Sequence, residues 1–251
     1  MTTLPVQLRY EQRCFWRNPA AAFFTVGFPL LLFVIFAALY RDDRSPVLHG
    51  LSYVDYFGPS MVAFGLMTAG FTSLAGRLVQ RRESGQLQRL RATPLSLRVV
   101  MTAVVANVVL VTLVIAVVNT AVGAVAYDLP LPHHPLAVLA VLLVGSTSFC
   151  ALGIAFSTVV PNGDASDPMV WGTFMPVAFI SGAFFPLADG TLLSRIADAF
   201  PVKHLIHATI TSYGAGTSSQ VSWQDLAVVA AWGAAAAGYA ALRFRWRPSH
   251  R

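Results

Sequence analysis

Charge is scarce in this sequence. Asp, Glu, Lys and Arg make up 11% of its 251 residues, less than half the roughly 25% of a soluble domain. A single soluble globular domain is thereby excluded. Disorder is excluded too, because 56% of the residues are hydrophobic and the mean hydropathy is +0.63, whereas disorder needs low hydrophobicity and high charge. Cysteine is nearly absent. Cys14 lies in a basic N-terminal segment and Cys150 in an apolar run, so they belong at different membrane depths and form no disulfide framework. Catalytic signatures are missing as well. There is no GxxxxGK[ST] phosphate loop, no HExxH, no paired CxxC and no GxSxG elbow, so the chain is not itself a P-loop ATPase and shows no hydrolase site. His133 and His134, and the pair His204 and His207, lack carboxylate or cysteine partners at ligand spacing. They read as interfacial polar residues, and no metal site is expected.

What is present in quantity is long apolar runs. A helix crossing the hydrocarbon core needs about 20 apolar residues. Six stretches free of Asp, Glu, Lys and Arg fit: 20–40, 56–76, 99–127, 135–160, 168–188 and 226–242. The stretch 191–213 contains Arg195, Asp198, Lys203 and two histidines, too polar to span but able to lie on a membrane or dip part-way into it. The run 20–40 is too long for a signal-peptide core, so it is expected to remain as the first span. The expected fold is all-α and integral to the membrane, one transmembrane domain over 1–251.

Net charge is +6, from 17 Lys and Arg against 11 Asp and Glu. Nucleic-acid binding is not implied, because basic residues gather on the cytoplasmic side of membrane proteins. With six spans and both termini inside, the inner segments hold thirteen Lys and Arg and the outer ones four. The 77–98 loop alone holds six of them, and the inner 161–167 loop holds none.

None of the six cores contains an ionisable residue, which disfavours an ion-coupled carrier. Asn107 and Asn119 are expected to bond between helices. Pro29, Pro59 and Pro176 are tolerated breakers. Ala234 and Gly238, four apart, offer a surface for close helix approach.

The 77–98 loop places Leu87, Leu90 and Leu95 in a basic setting, ended by Thr93-Pro94. By composition it is either a docking element for a soluble partner or a basic contact with lipid headgroups. The wording decides. Glu83-Ser-Gly85-Gln-Leu87-Gln-Arg-Leu90-Arg91-Ala-Thr-Pro94-Leu-Ser96 resembles the cytoplasmic loop of type-2 ABC exporter permeases, the branch of drug-resistance, polysaccharide and lipid exporters. Ser181-Gly-Ala-Phe-Phe-Pro-Leu187, then Ile196-Ala197 and Phe200-Pro201, and Arg17-Asn18-Pro19 before the first span, are similar to that family too.

The resemblance implies a mechanism. Two permease copies, or two paralogues, pair with two separate ABC ATPase subunits that bind ATP and Mg. The permease binds no cofactor and is not itself an enzyme. A coupling helix at about 81–94 includes Arg82, Glu83, Gly85, Leu87, Leu90, Arg91 and Pro94. In it Leu87 and Leu90 form the apolar plug, Gly85 permits close backbone approach, and Glu83 caps the helix or pairs with the ATPase. The alternative for Glu83 is a weak local pair with Arg81, Arg82 or Arg89. An amphipathic N-terminal helix from Leu4 to Trp16 lies on the inner surface through Leu8, Phe15 and Trp16. Spans one, two and five face the pathway or the dimer partner. Short outer re-entrant helices within 189–213, with Gly182, Phe184, Phe185, Pro186 and Pro201, form an outer gate. No partner contact is carried over to 161–167. The cargo expected from the many phenylalanines is amphipathic or hydrophobic: a drug, lipid or glycolipid. Arg outnumbers Lys 16 to one and Ala is abundant, as in a GC-rich bacterial gene, which places the chain in a bacterial cytoplasmic membrane. An ATP-independent carrier or channel on the same six helices is the alternative.

Overall fold

A computed structural model describes residues 3–40, 51–86, 89, 96–188, 190–214 and 222–243. Among them every regular element is helical. In chain order these are α1 (Thr3–Trp16), α2 (Pro19–Leu39), α3 (Tyr53–Glu83), α4 (Leu97–Tyr127), α5 (Pro135–Ser157), α6 (Ser166–Ile180), α7 (Leu192–Ala197), α8 (Pro201–Ser212) and α9 (Trp223–Arg243). Both α2 and α3 contain one π-helical turn, at Phe23–Gly27 and Thr68–Thr72.

Short polar residues set the helix starts. The Asn18 side chain accepts from the Ala21 amide at 3.1 Å, with Pro19 in the first turn. Ser52 and Ser96 cap α3 and α4 in the same way. The end of α4 is set by Asp128, which adopts the left-handed conformation at φ 54° while the Leu129 amide reaches back to the Gly123 carbonyl.

Five helices are long and apolar enough to cross a membrane: α2, α3, α4, α5 and α9. The expected span 168–188 differs. Its helix, α6, has 15 residues, about 22 Å at 1.5 Å per residue, short of a ~30 Å hydrocarbon core. The chain leaves the helix at Ser181–Gly182, where Gly182 takes φ +85° and the Tyr56 hydroxyl donates to its carbonyl. The expected second span is extended instead. Beyond residue 76, α3 runs on to Glu83, because its arginines find oxygen partners.

The core is built on α3, whose N-terminal half is buried almost all round. Phe57, Met61, Phe64 and Leu66 meet Phe33 from α2 and Leu205 from α8. Phe36 stacks on Phe57 at 4.8 Å, and Phe64 meets Phe184 at 5.1 Å. Many phenylalanines are therefore packing residues. Phe23, Phe24 and Phe179 are half exposed.

Two polar expectations inside the spans are corrected. The Asn119 amide donates to the Ile115 carbonyl of its own helix at 3.0 Å. Asn107 is buried with neither amide atom bonded among the described residues. The small-residue contact is also shifted. A Cβ at Gly238 would meet nothing within 4 Å, whereas one at Gly233 would stand 2.4 Å from Ser148 Oγ and 2.7 Å from Ser148 Cα on α5. Gly233→Ala should therefore force α9 off α5, at a cost of about 1–3 kcal/mol, and lower the thermal midpoint of the purified protein. Gly238→Ala should not. Equal midpoints for the two variants would refute this packing.

Candidate coupling site

The C-terminal end of α3 carries Arg77, Arg81 and Arg82 within six residues. A guanidinium keeps its charge in a protein, so each needs acceptors where the helix leaves the apolar layer. Arg81 finds them on α1. Its Nη1 and Nη2 donate to Glu11 Oε1 and Oε2 at 2.9 and 2.7 Å, a bidentate pair. The Glu11 side chain is 1% exposed and that of Arg81 15%. Gln7, one turn earlier, donates to Glu11 Oε1 at 3.2 Å. Arg77 Nε donates to the Ser73 carbonyl at 3.1 Å, and its guanidinium lies 5.9 Å from the centre of the Phe15 ring.

Arg82 turns the other way. Nη1 donates to the Ser157 carbonyl at 3.1 Å, and Nη2 to those of Val160 at 2.5 Å and Pro161 at 3.4 Å. These groups lie at and just after the C-terminus of α5, where helix carbonyls lack partners and a cation is favoured. The chain then closes its helix. Gly85 takes φ +68° and its amide bonds to the Arg82 carbonyl, as a glycine past a helix end does. Nothing lies within 4 Å of a Cβ built there. Gly85 thus supplies a turn at the end of α3 and leaves the backbone open on that side. The Arg89 amide bonds to the Gly85 carbonyl and its guanidinium to that of Ser84.

The other expected residues fall as follows. Leu87, Leu90, Arg91 and Pro94 lie outside the described residues. Glu83 is exposed and has no ion pair among the described residues. A Cβ at Gly163 would stand 2.5 Å from its Oε2, so the 161–165 backbone lies beside it. On α1, Phe15 is buried against Leu74, Leu78, Val104 and Val108. Leu8 is partly buried, and Trp16 is 46% exposed with its indole N–H on Gln12. At the other end, Gly182 and Phe184 are buried, Phe185 is half exposed, Pro186 is partly buried, and Pro201 opens α8.

Between α2, α3 and α6 lies an open cleft of about 870 Å³. Phe24, Phe28 and Trp171 line its apolar side, and Thr72, Arg77 and Gln80 its polar side. Thr25 and Ser73, also on its wall, share a hydrogen bond of 2.9 Å that links the π-helical turn of α2 to α3.

Sequence reasoning missed two acids. Glu11 was lost among neighbouring arginines; its signal is the i, i+4, i+8 row Gln7, Glu11, Phe15, all buried. Asp225 was passed over although it is bonded to both His204 and His207; folding brings it to them from 18 and 21 residues away.

Several apolar helices, a cleft between three of them and an arginine-laced helix end define a multi-pass helical membrane protein. The family description ABC-2 type transporter matches residues 4–213, and the chain belongs to that family. Its members are the membrane components of ABC transport systems, generally non-catalytic and working with an ABC ATPase. A comparison with curated proteins found no match.

The Glu11–Arg81 pair is nearly dry, so leaving one partner behind should cost on the order of 3 kcal/mol. Glu11→Gln should lower the thermal midpoint far more than Gln7→Ala. A Glu11→Arg, Arg81→Glu double variant should recover part of the loss. No recovery in the double variant would show that the two side chains act separately.

Proposed function

We propose that this chain is the six-span permease of an ATP-driven exporter in a bacterial cytoplasmic membrane, a single transmembrane domain over 1–251 with both termini inside. In this reading α6 and the residues after it complete the sixth crossing. Two copies, or one copy and a paralogue, work with two ABC ATPase subunits that bind ATP and Mg.

One observation carries the reading. The start of the 81–94 segment is tied to α1 through Arg81 and Glu11 and to the end of α5 through Arg82. A push on that segment from a soluble partner would therefore move α1, α3 and α5 together. Leu87 and Leu90 form the apolar plug in the ATPase groove, with Glu83, Arg91 and Pro94 around it. Gly85 is the turn that separates plug from span. Arg82 acts by positioning this segment, since it is buried against carbonyls. Leu8 and Trp16 hold α1 at the inner lipid surface, and Phe15 seats it on α3 and α4.

The cleft between α2, α3 and α6 is the inner part of the pathway. Its aromatic side and hydroxyl, amide and guanidinium side suit an amphipathic cargo, a drug, lipid or glycolipid. Gly182, Phe184, Phe185, Pro186 and Pro201, with α7 and α8, form the outer gate.

The test is affinity purification of the tagged chain from its native membrane in mild detergent, with mass spectrometry of what accompanies it. A stoichiometric P-loop ATPase should co-purify and be lost from a Leu87→Asp, Leu90→Asp variant that still inserts. A chain that comes alone while other complexes survive would overturn the reading in favour of an ATP-independent carrier. An ATPase that stays bound to the variant would remove the plug role.

A further inference from the structure

The three arginines near the C-terminus of α3 are not equally satisfied. Arg81 has both oxygens of Glu11, and Arg82 has three carbonyls. Arg77 has one acceptor, the Ser73 carbonyl on its Nε. Neither of its Nη atoms has an acceptor among the described residues. A guanidinium carries five N–H donors and keeps its charge, so both Nη groups of Arg77 are left unused. The Phe15 ring, 5.9 Å away, meets the charge with a π face but offers no oxygen. Arg77 also lies on the wall of the open cleft between α2, α3 and α6.

That cleft is graded along α3. Phe28 stands 6.4 Å from Phe64, and Met175 follows Phe174, whose ring is 5.6 Å from Phe64. Both line the end of the cleft marked by Thr68, and Arg77 and Gln80 line the other. From Thr68 to Arg77 the helix rises roughly 13 Å, so an apolar body and a polar head fit in tandem. The first turn of α2 adds to the polar end. Phe28 meets Phe64 and Thr25 meets Ser73, so α2 runs antiparallel to α3 and begins near Arg77. Asn18 and Ala21 line the cleft there, at the positive end of a helix. Two further charges reach the wall. Arg81 is neutralised by Glu11. Asp167, in the first turn of α6, is exposed and makes no ion pair with Arg77 among the described residues.

We propose that Arg77 is a headgroup site, and that the cleft takes an anionic amphiphile. Its phosphate or carboxylate would accept from the two Nη groups, while its apolar body lies along Phe28 and Met175. Paired N–H donors match the paired oxygens of either group. A neutral head would leave the guanidinium charge without a counter-charge in a cleft whose other arginine is already paired. The inference rests on reading this cleft as part of the pathway, and it adds the charge of what enters. The same oxyanion chemistry occurs on bilayer lipids and on amphiphiles that arrive from solution.

The test is photolabelling of the full chain in phosphatidylcholine nanodiscs. Three dodecyl probes carry a diazirine on the chain and differ only in the head: phosphate, hydroxyl or trimethylammonium. The phosphate probe should half-saturate at a concentration about tenfold or more below the hydroxyl probe, the worth of charge-assisted hydrogen bonds, with its label on α2 and α6. Arg77→Gln should remove that preference, Arg77→Lys should keep part of it, and Asp167→Asn should not weaken it. Displacement of the phosphate probe by phosphatidylglycerol in the disc would support the proposal with a bilayer lipid as the occupant. Full labelling in its presence would support it with an amphiphile from solution. Equal labelling by the phosphate and hydroxyl probes in the unmodified chain would overturn the proposal. So would a phosphate preference that survives Arg77→Gln, or stronger labelling by the ammonium probe. The experiment needs neither ATPase nor ATP. A co-purifying ATPase with no headgroup preference would remove this inference and leave the exporter reading, and a preference in a chain that purifies alone would do the reverse.

Discussion

An arginine at the edge of an apolar layer cannot shed its charge, and that constraint organises the end of this protein where α3 closes. Lysine, histidine or a carboxylate can escape a dry site by changing protonation, but a guanidinium must find oxygen. With Arg77, Arg81 and Arg82 within six residues of α3, three sets of acceptors are required. One comes from the helix itself, at Ser73. One comes from α1, at Glu11. The third comes from the unpaired carbonyls at the end of α5. Satisfying these charges joins elements up to 79 residues apart in the chain. The apolar packing of Phe15 on Leu74 and Leu78 could be realised at many small offsets of α1. The bidentate pair permits one.

The same geometry explains what was legible in the sequence. Apolar runs gave five helices of spanning length, since length and composition are properties of a segment alone. Helix starts at Asn18, Ser52 and Ser96 follow from local capping. The helix within the 168–188 run ends at Ile180, and charge-free residues 181–188 look the same in sequence whether helical or turned. The difference is Gly182, whose left-handed φ and bond to Tyr56 depend on a residue far away in the chain. Glu11 was hidden for a related reason. In a row of arginines, one Glu reads as a solvated charge until folding places it against a guanidinium. Of the candidate coupling residues, Arg82, Glu83 and Gly85 lie among the described residues, while Leu87, Leu90, Arg91 and Pro94 fall outside them.

The middle of the bundle is joined differently again. Where α2 and α3 each take one π-helical turn, the Thr25 and Ser73 hydroxyls meet across the helices at 2.9 Å. A π-helical turn loosens the regular hydrogen-bond ladder and is often found at functional positions. Here both turns border the cleft through Phe24, Thr25, Thr68 and Thr72. The cleft wall is thus the least regular part of two otherwise continuous helices, and the Thr25–Ser73 hydroxyl pair bonds them there.

The two polar joints therefore differ in how they are built. One is an arginine with a carboxylate and an arginine with helix-end carbonyls, so its bonds are spread over two guanidinium groups that keep their charge and reach two different helices. The other converges on a single carboxylate, Asp225 on α9, which bonds His204 and His207 of α8 and the Ser222 hydroxyl. Loss of one side chain leaves part of the first joint standing, whereas the second depends on Asp225 alone.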